Sequence, residues 1–391
     1  MGNNNLYRFL GRALQWNTWV SKNVYQSVTR GETATFLKLV ETMKDDDSIE
    51  DIARLRKLRT SVESGARWFT RDENVTNAFC YGIWQSIFPF IDWRDAAWYP
   101  VVEHGFIAGH VFTDEIDKSA RSACVSFGPY RRKVIREKRN VPVFTVGPYI
   151  QYASQFYDAN KLAEIKNSLG RTLVFFPAHS VNTTSVSREF AILETKLDAL
   201  AQDYDSVLVC IFWWDINSPI VERFESKGYK VVSAGYLNDS NFMPRLKTIL
   251  TLADSVYSDS LGTHAAYCRV LNVPFGLIDC DTRYKVGGRF SDEQTHLEVE
   301  TRLTDAILLD TSEREMAFNY YWGSDIKRTL EERKVIAEIT RTITNRTHGV
   351  IARVPAVVDS ILKEYREDNA VAYKLLREAV GANDKGVMFY E

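Results

Sequence analysis

Thr172-Leu173-Val174-Phe175-Phe176, Val207-Leu208-Val209-Cys210-Ile211-Phe212-Trp213, Tyr229-Lys230-Val231-Val232-Ser233, Ser255-Val256-Tyr257 and Phe275-Gly276-Leu277-Ile278 are five short runs rich in β-branched and aromatic residues. Nearly continuous apolar runs of this length read as strands buried on both faces of a parallel sheet. The segments between them have helical spacing: Arg188 to Gln202, Ile220 to Ser226, Met243 to Leu252 and Thr263 to Leu271. Parallel neighbours need a crossover, and a helix is the usual one, so this alternation predicts a doubly wound α/β sheet.

Working outward, the upstream half carries three more short apolar strands that end in Gly, Ser or His. They are Tyr99 to Gly105, Ala123 to Pro129 and Val141 to Pro148, two of them followed by helix-like segments. This is again the pattern of βα units. From Met1 to about Phe90 the spacing is helical, with Asp45-Asp46-Asp47-Ser48 as a loop and helix start before Ile49. Downstream come a loop-rich stretch from Asp279 to Leu297, an apolar strand at Ala306 to Leu309, and helices to the C-terminus. A chain of 391 residues suits two domains. The expected division is a first domain with a helical N-terminal region over 1–150, a second, Rossmann-like domain over 165–325, and C-terminal helices over 326–391.

Composition narrows the function. With 45% hydrophobic and 26% charged residues the chain can bury a core, which excludes disorder, collagen and a disulfide mini-scaffold. The 49 Lys and Arg balance 51 Asp and Glu, which argues against nucleic acid as the main partner, because displacing counterions needs a basic surface. Five cysteines (Cys80, Cys124, Cys210, Cys268, Cys280) form no CxxC pair and several lie in apolar runs, as buried thiols of a reducing compartment do. No run approaches a membrane span or a signal peptide's apolar core, and Leu6 spoils the myristoylation pattern begun by Met1-Gly2. A cytoplasmic protein is expected.

Two basic segments leave room for peripheral contact with an anionic membrane. One is the N-terminus, where Arg8, Arg12, Lys22 and Arg30 interleave with Tyr7, Phe9, Trp16, Trp19 and Tyr25; the other is the run from Arg131 to Arg139. A docked helix or a solvated helix face is the plainer reading of each.

Ligands of an open parallel sheet sit beyond the carboxyl ends of its strands. After Phe176 comes Pro177-Ala178-His179-Ser180-Val181-Asn182-Thr183-Thr184-Ser185, and after Tyr257 comes Ser258-Asp259-Ser260-Leu261-Gly262-Thr263-His264. Hydroxyls, a Gly and a His before a helix N-terminus suit a phosphate, so His179, Ser180, Thr183, Ser258, Ser260, Gly262, Thr263 and His264 are the candidate phosphate- or nucleotide-binding residues. Neither GxxxxGK[ST] nor GxGxxG is present, which disfavours ATP hydrolysis and NAD chemistry. Glu103 and His104, followed by Gly105, end an otherwise apolar strand and are candidates for a general base. Adjacent strand residues point to opposite faces, so one of the two reaches a cleft, and His104 is favoured because its ordinary pKa lies nearer neutrality. The six histidines (His104, His110, His179, His264, His296, His348) make no HExxH, and Asp114-Glu115-Ile116-Asp117 reads as a solvated acidic face, so no metal is expected.

A resemblance follows from these residues. Leu252 to His264, continuing through Leu271-Asn272-Val273-Pro274-Phe275, is similar to a stretch of bacterial GT-B glycosyltransferases and CDP-glycerol glycerophosphotransferases that build capsules, lipopolysaccharide and teichoic acids. Glu103-His104-Gly105 resembles their amino-domain His-Gly motif, and also the acid-acid-Gly motif of bacterial sialyltransferases, with His104 in place of the second acid. Phe175 to Ser180 resembles the loop that opens their carboxy-terminal domain, and Asn319-Tyr320-Tyr321-Trp322-Gly323 the tail of surface-polysaccharide transferases. The resemblance spans roughly Trp98 to Gly323. It implies two Rossmann-like domains facing across a cleft and a nucleotide donor held mainly by the second, with no cofactor or divalent metal; Gly105, Gly128 and Tyr130 would then line the acceptor side and Pro148-Tyr149 mark the interdomain crossing.

The expected function is transfer of a sugar or polyol phosphate from a nucleotide-activated donor to a glycan or lipid-linked acceptor, with His104 or Glu103 as base. The alternatives are a CMP-sialic acid or Kdo-type transferase, a non-catalytic membrane-associated assembly protein, and a nucleotide-sugar epimerase.

Overall fold

The computed structural model describes residues 18–44, 48–50, 52–106, 116, 119, 121, 123–139, 141–181, 184–286, 303–304 and 312–345. The protein is α/β. A five-stranded parallel sheet is built from β4 (Thr172–Phe176), β6 (Ser206–Cys210), β7 (Lys230–Val232), β8 (Ser255–Ser258) and β9 (Phe275–Leu277), in the spatial order β7-β6-β4-β8-β9. Taken in chain order these strands lie 3-2-1-4-5, the Rossmann arrangement. β4 is central, with Val174 opposite Leu208 on one side and Val256 on the other. Its Leu173, Val174 and Phe175 are fully buried, which is why that run shows no polar alternation.

The crossover helices are α7 (Phe190–Ala201), α8 (Pro219–Ser226), α9 (Phe242–Leu252) and α10 (Thr263–Val270). A second parallel sheet of three strands has the order β1 (Val101–Val102), β2 (Cys124–Ser126), β3 (Val143–Thr145). Before it stand the helices α1 (Thr18–Lys44), α2 (Ala53–Glu63), α3 (Glu73–Phe79) and α4 (Ile83–Ile87). α5 (Pro129–Lys138) follows β2, and α6 (Ala159–Leu169) leads into β4. Local sequence sets several of these ends. Pro129 and Pro219 open α5 and α8, where a missing N–H costs nothing, and Asp158 caps α6 by accepting the Lys161 N–H at 2.8 Å.

The elements of the second half begin and end within a few residues of their expected positions. Three differences have physical causes. The strand expected through Trp213 stops at Cys210, because Trp213–Asp215 turns into a 3-10 helix. The helix expected before Ile49 begins at Ala53, since the Ile49 N–H and C=O are taken by the Tyr157 hydroxyl and the Ser233 N–H. Two stretches expected as loops are strands: β5 (Thr184–Ser187) pairs antiparallel with β10 (Arg283–Val286). The expected strand at 306–309 and most of the acidic stretch at 114–117 lie outside the described residues.

α11 (Ser312–Trp322) and α12 (Leu330–Asn345) return to the first sheet. Gly128 packs so closely on the Gly323 backbone that neither can carry a side chain without a shift. Gln151 donates to the Ile326 carbonyl at 2.9 Å, Arg328 Nε to the Thr145 carbonyl at 3.0 Å, and Arg333 to the Ile87 carbonyl at 2.6 Å. The main core is continuous from Phe36 on α1 through both sheets to Ile339 on α12, with a small separate cluster behind β1 to β3.

The basic run is a correction to the lipid-facing reading. Arg131 is buried against Glu103, Arg132 is buried, and Arg139 donates to the Ile116, Ser119 and Arg121 carbonyls. Its arginines hold the fold, leaving Lys133 and Lys138 in solvent. The N-terminal basic aromatic segment falls largely outside the described residues. Among the described residues no helix is long and apolar enough to cross a membrane.

Candidate functional site

The strand order of the large sheet reverses between β4 and β8, and the loops leaving their carboxyl ends diverge there. A cavity of about 370 Å³ opens at this point, lined by residues after β4, β6 and β8 and, from the first sheet, by His104, Gly105 and Phe106 after β1. Its wall includes the aromatic side chains of Tyr81, Phe176, Phe212 and Phe242, and three imidazoles line it: His104, His179 and His264.

The loop after β4 is held in place by Asp259. This carboxylate accepts the Ala178 N–H at 2.5 Å and the Thr282 hydroxyl at 3.1 Å, and it pairs with Arg188 at 2.9 Å. Burial pushes its pKa up while Arg188 and the hydrogen bonds pull it down. Arg188 closes the loop by also donating to the Ala178 carbonyl. Ser258 does the same work from β8: it is fully buried, donates to the Phe176 carbonyl at 2.7 Å and accepts the Ser260 N–H. Ser258 is therefore a fastening of the two loops and not a phosphate donor. Ser260, Gly262, Thr263 and His264 all line the cavity.

α10 starts at the cavity, and the first N–H groups of a helix have no intrahelical acceptor. Thr263 Oγ1 accepts the Phe106 N–H at 2.9 Å, which ties the two sheets together across the cavity and leaves the hydroxyl proton to be given elsewhere. His264 stacks on Phe176 at 5.3 Å with planes 10° apart. Burial, reinforced by His179, lowers its pKa to about 4, so the ring is neutral at pH 7. It bonds to the Ser260 backbone, and its Nε2 is buried with no hydrogen-bond partner among the described residues. His264 thus offers a neutral ring to the cavity. His179 tilts onto Phe212 at 4.2 Å, with Nδ1 3.3 Å from the Ser180 carbonyl. Desolvation lowers its pKa too, although the residue as a whole is exposed.

Glu103 and His104 turn to opposite faces. Glu103 is fully buried, pairs with Arg131 at 2.5 Å and accepts the Ser126 hydroxyl at 2.5 Å. It holds β1 to β2 and α5 and is no base in the cleft. His104 lines the cavity with its ring 5.6 Å from Tyr81. Gly128 and Tyr130 are also corrected: Gly128 packs on Gly323, and Tyr130 is buried against Tyr321 and Tyr320 at 4.8 and 5.8 Å, so both belong to the seam with α11. The crossing expected at Pro148-Tyr149 is a packed one, with Tyr149 stacked on Phe127 at 4.1 Å and donating to the Glu103 carbonyl. Thr183, His110, His296 and His348 lie outside the described residues.

The sequence reading missed Tyr81, Arg188 and Asp215. Asp215 follows the β6 run and could have been found by the strand-end rule; nothing local marks Tyr81, which sits at φ +56 before Gly82 at φ +64. Among the described residues no group of three or more His, Cys, Asp or Glu side chains could hold a metal ion. The five cysteines are buried and unpaired. The chain matches no protein-family model, and no curated protein matches it.

Proposed function

We propose that the protein is a GT-B-type glycosyltransferase, moving a sugar or a polyol phosphate from a nucleotide-activated donor to a surface-glycan acceptor at the cytoplasmic face of a membrane. The observation that carries this reading is the cavity at the reversal of the strand order, where the N-terminus of α10 and His104 of the first sheet line one space. In this reading the donor phosphate lies at the start of α10, met by backbone N–H groups, the Thr263 hydroxyl and His179. His104 takes the proton of the acceptor hydroxyl. That oxygen forms the new bond as the bond to the leaving phosphate breaks, and the nucleotide departs with the electron pair. His264 supplies a neutral, stacked wall. The aromatic lining suits a nucleobase and keeps water away from the donor.

The test is a melting-temperature screen of the full chain against CMP, CDP, UDP, GDP and TDP, without and with Mg²⁺, followed by transfer assays on His104→Ala. One nucleotide should raise the midpoint by mass action, and His104→Ala should still bind it while losing transfer by at least about a hundredfold. Stabilisation by CMP alone would select a sialic acid or Kdo-type donor. No shift with any nucleotide at about a few millimolar would overturn the transferase reading and favour a non-catalytic assembly protein.

A further inference from the structure

A smaller cavity adjoins the main one. Its volume of about 60 Å³ is room for about two water-sized groups. Pro177 to His179 and Ile211-Phe212 line both cavities, so the ring of His179 packed on Phe212 belongs to a shared wall. The polar groups of the annex come from the carboxyl ends of β4 and β6. Asp215 Oδ2 accepts the Ser180 N–H at 2.7 Å, a bond that engages one carboxylate oxygen and leaves the other for a ligand. Ser218 holds the N-cap position of α8 without capping it, so its hydroxyl is not spent on the helix as a serine there usually is. Arg188 also lines the annex, where its charge is balanced by Asp259 and its Nη2 donates to the Ala178 carbonyl, while its buried Nη1 makes no hydrogen bond among the described residues.

The remaining chemistry is a carboxylate oxygen with two hydroxyls on the same lining, that of Ser218 and that of Ser180, which accepts the Val186 N–H at 3.4 Å. A phosphate or carboxylate would be repelled by Asp215. A pair of neighbouring neutral hydroxyls is matched: one donates to the carboxylate, a charge-assisted bond, and the other pairs with Ser218. The volume admits the edge of a sugar or polyol and excludes a whole ring.

We propose that this annex is a polyol subsite, which receives the hydroxyl-bearing edge of the group carried by the donor. The proposal rests on the nucleotide-donor reading and deepens it, putting His179 between the phosphate and the transferred group.

The experiment is calorimetric titration of the full chain and of its Asp215→Asn and Ser218→Ala variants with two pairs of ligands: UDP against UDP-glucose and CDP against CDP-glycerol. Asp215→Asn keeps an oxygen for the Ser180 N–H, so the loop is retained while the charge is lost. Wild type should prefer one loaded nucleotide to its bare partner. Asp215→Asn should lose that preference by about tenfold, the scale of a hydrogen bond to a charged group, with bare-nucleotide affinity changed less than about twofold. Equal binding of loaded and bare nucleotides by wild type, or an undiminished preference in Asp215→Asn, overturns the annex and leaves the nucleotide site standing. If no nucleotide binds, the transferase reading falls, and the annex is judged by glucose and glycerol alone in ligand-observed NMR. Line broadening abolished by Asp215→Asn supports it, and no broadening with wild type overturns it.

Discussion

Glu103 and His104 are neighbours in the chain and opposites in the fold. The period of a strand made that legible, but which of the two would face the cleft depended on a partner on α5, and Arg131 had read as part of a solvated basic run. Breaking a buried pair leaves an uncompensated charge. Glu103→Gln should therefore lower unfolding stability by about 3–5 kcal/mol, read by urea denaturation, with Glu103→Met combined with Arg131→Met recovering much of the loss. A stable Glu103→Gln protein without activity would return this carboxylate to the chemistry. His264 gives a pH prediction. Its folded pKa of about 4 lies below the ordinary 6.5, so between these values the unfolded chain takes up a proton that the folded one refuses. Stability then falls as pH drops from about 6.5 to about 4, by up to about 3 kcal/mol. His264→Phe, which keeps the stack on Phe176, should flatten that part of the stability profile, and an unchanged acid limb would count against the neutral ring.

At the level of elements, the strands and helices of the large sheet were legible because each run carries its own apolar signal. The β5–β10 ribbon was not. Its strands are only four residues long and lie far apart in the chain, so no connecting turn announces their pairing. The seam between α5 and α11 was misread for a related reason: a glycine chosen for close backbone approach looks in sequence like a glycine at a ligand. A methyl group at Gly128 would strike the Gly323 backbone, which cannot move aside cheaply. Gly128→Ala should destabilise the protein by about 2–4 kcal/mol, while Gly105→Ala, with open space around its added carbon, should stay within about 0.5 kcal/mol. Equal effects in thermal unfolding would refute the seam.

For the whole molecule, the bond from Phe106 to Thr263 and the unbroken core bind the sheets to each other. Calorimetry of the full chain should accordingly give one cooperative transition for both sheets, and two separated peaks would contradict it. The location of the cavity was legible from the carboxyl ends of the strands and the chemistry of the loops that follow them. Its aromatic half was not, because Tyr81 and Phe242 arrive from segments whose place depends on tertiary packing.

Tyr81 has one more consequence. Its N–H is pinned to the Leu237 carbonyl in a left-handed turn, with its ring 4.8 Å from Phe242, a backbone shape that costs a bulky residue on the order of 1–2 kcal/mol. Asn adopts that shape more readily than Ala, so Tyr81→Asn should melt above Tyr81→Ala although both lose the ring, and the gap between them measures the stored strain. A search for thermostable variants would be drawn to this position first, and each gain in robustness there would be taken from the wall of the cleft.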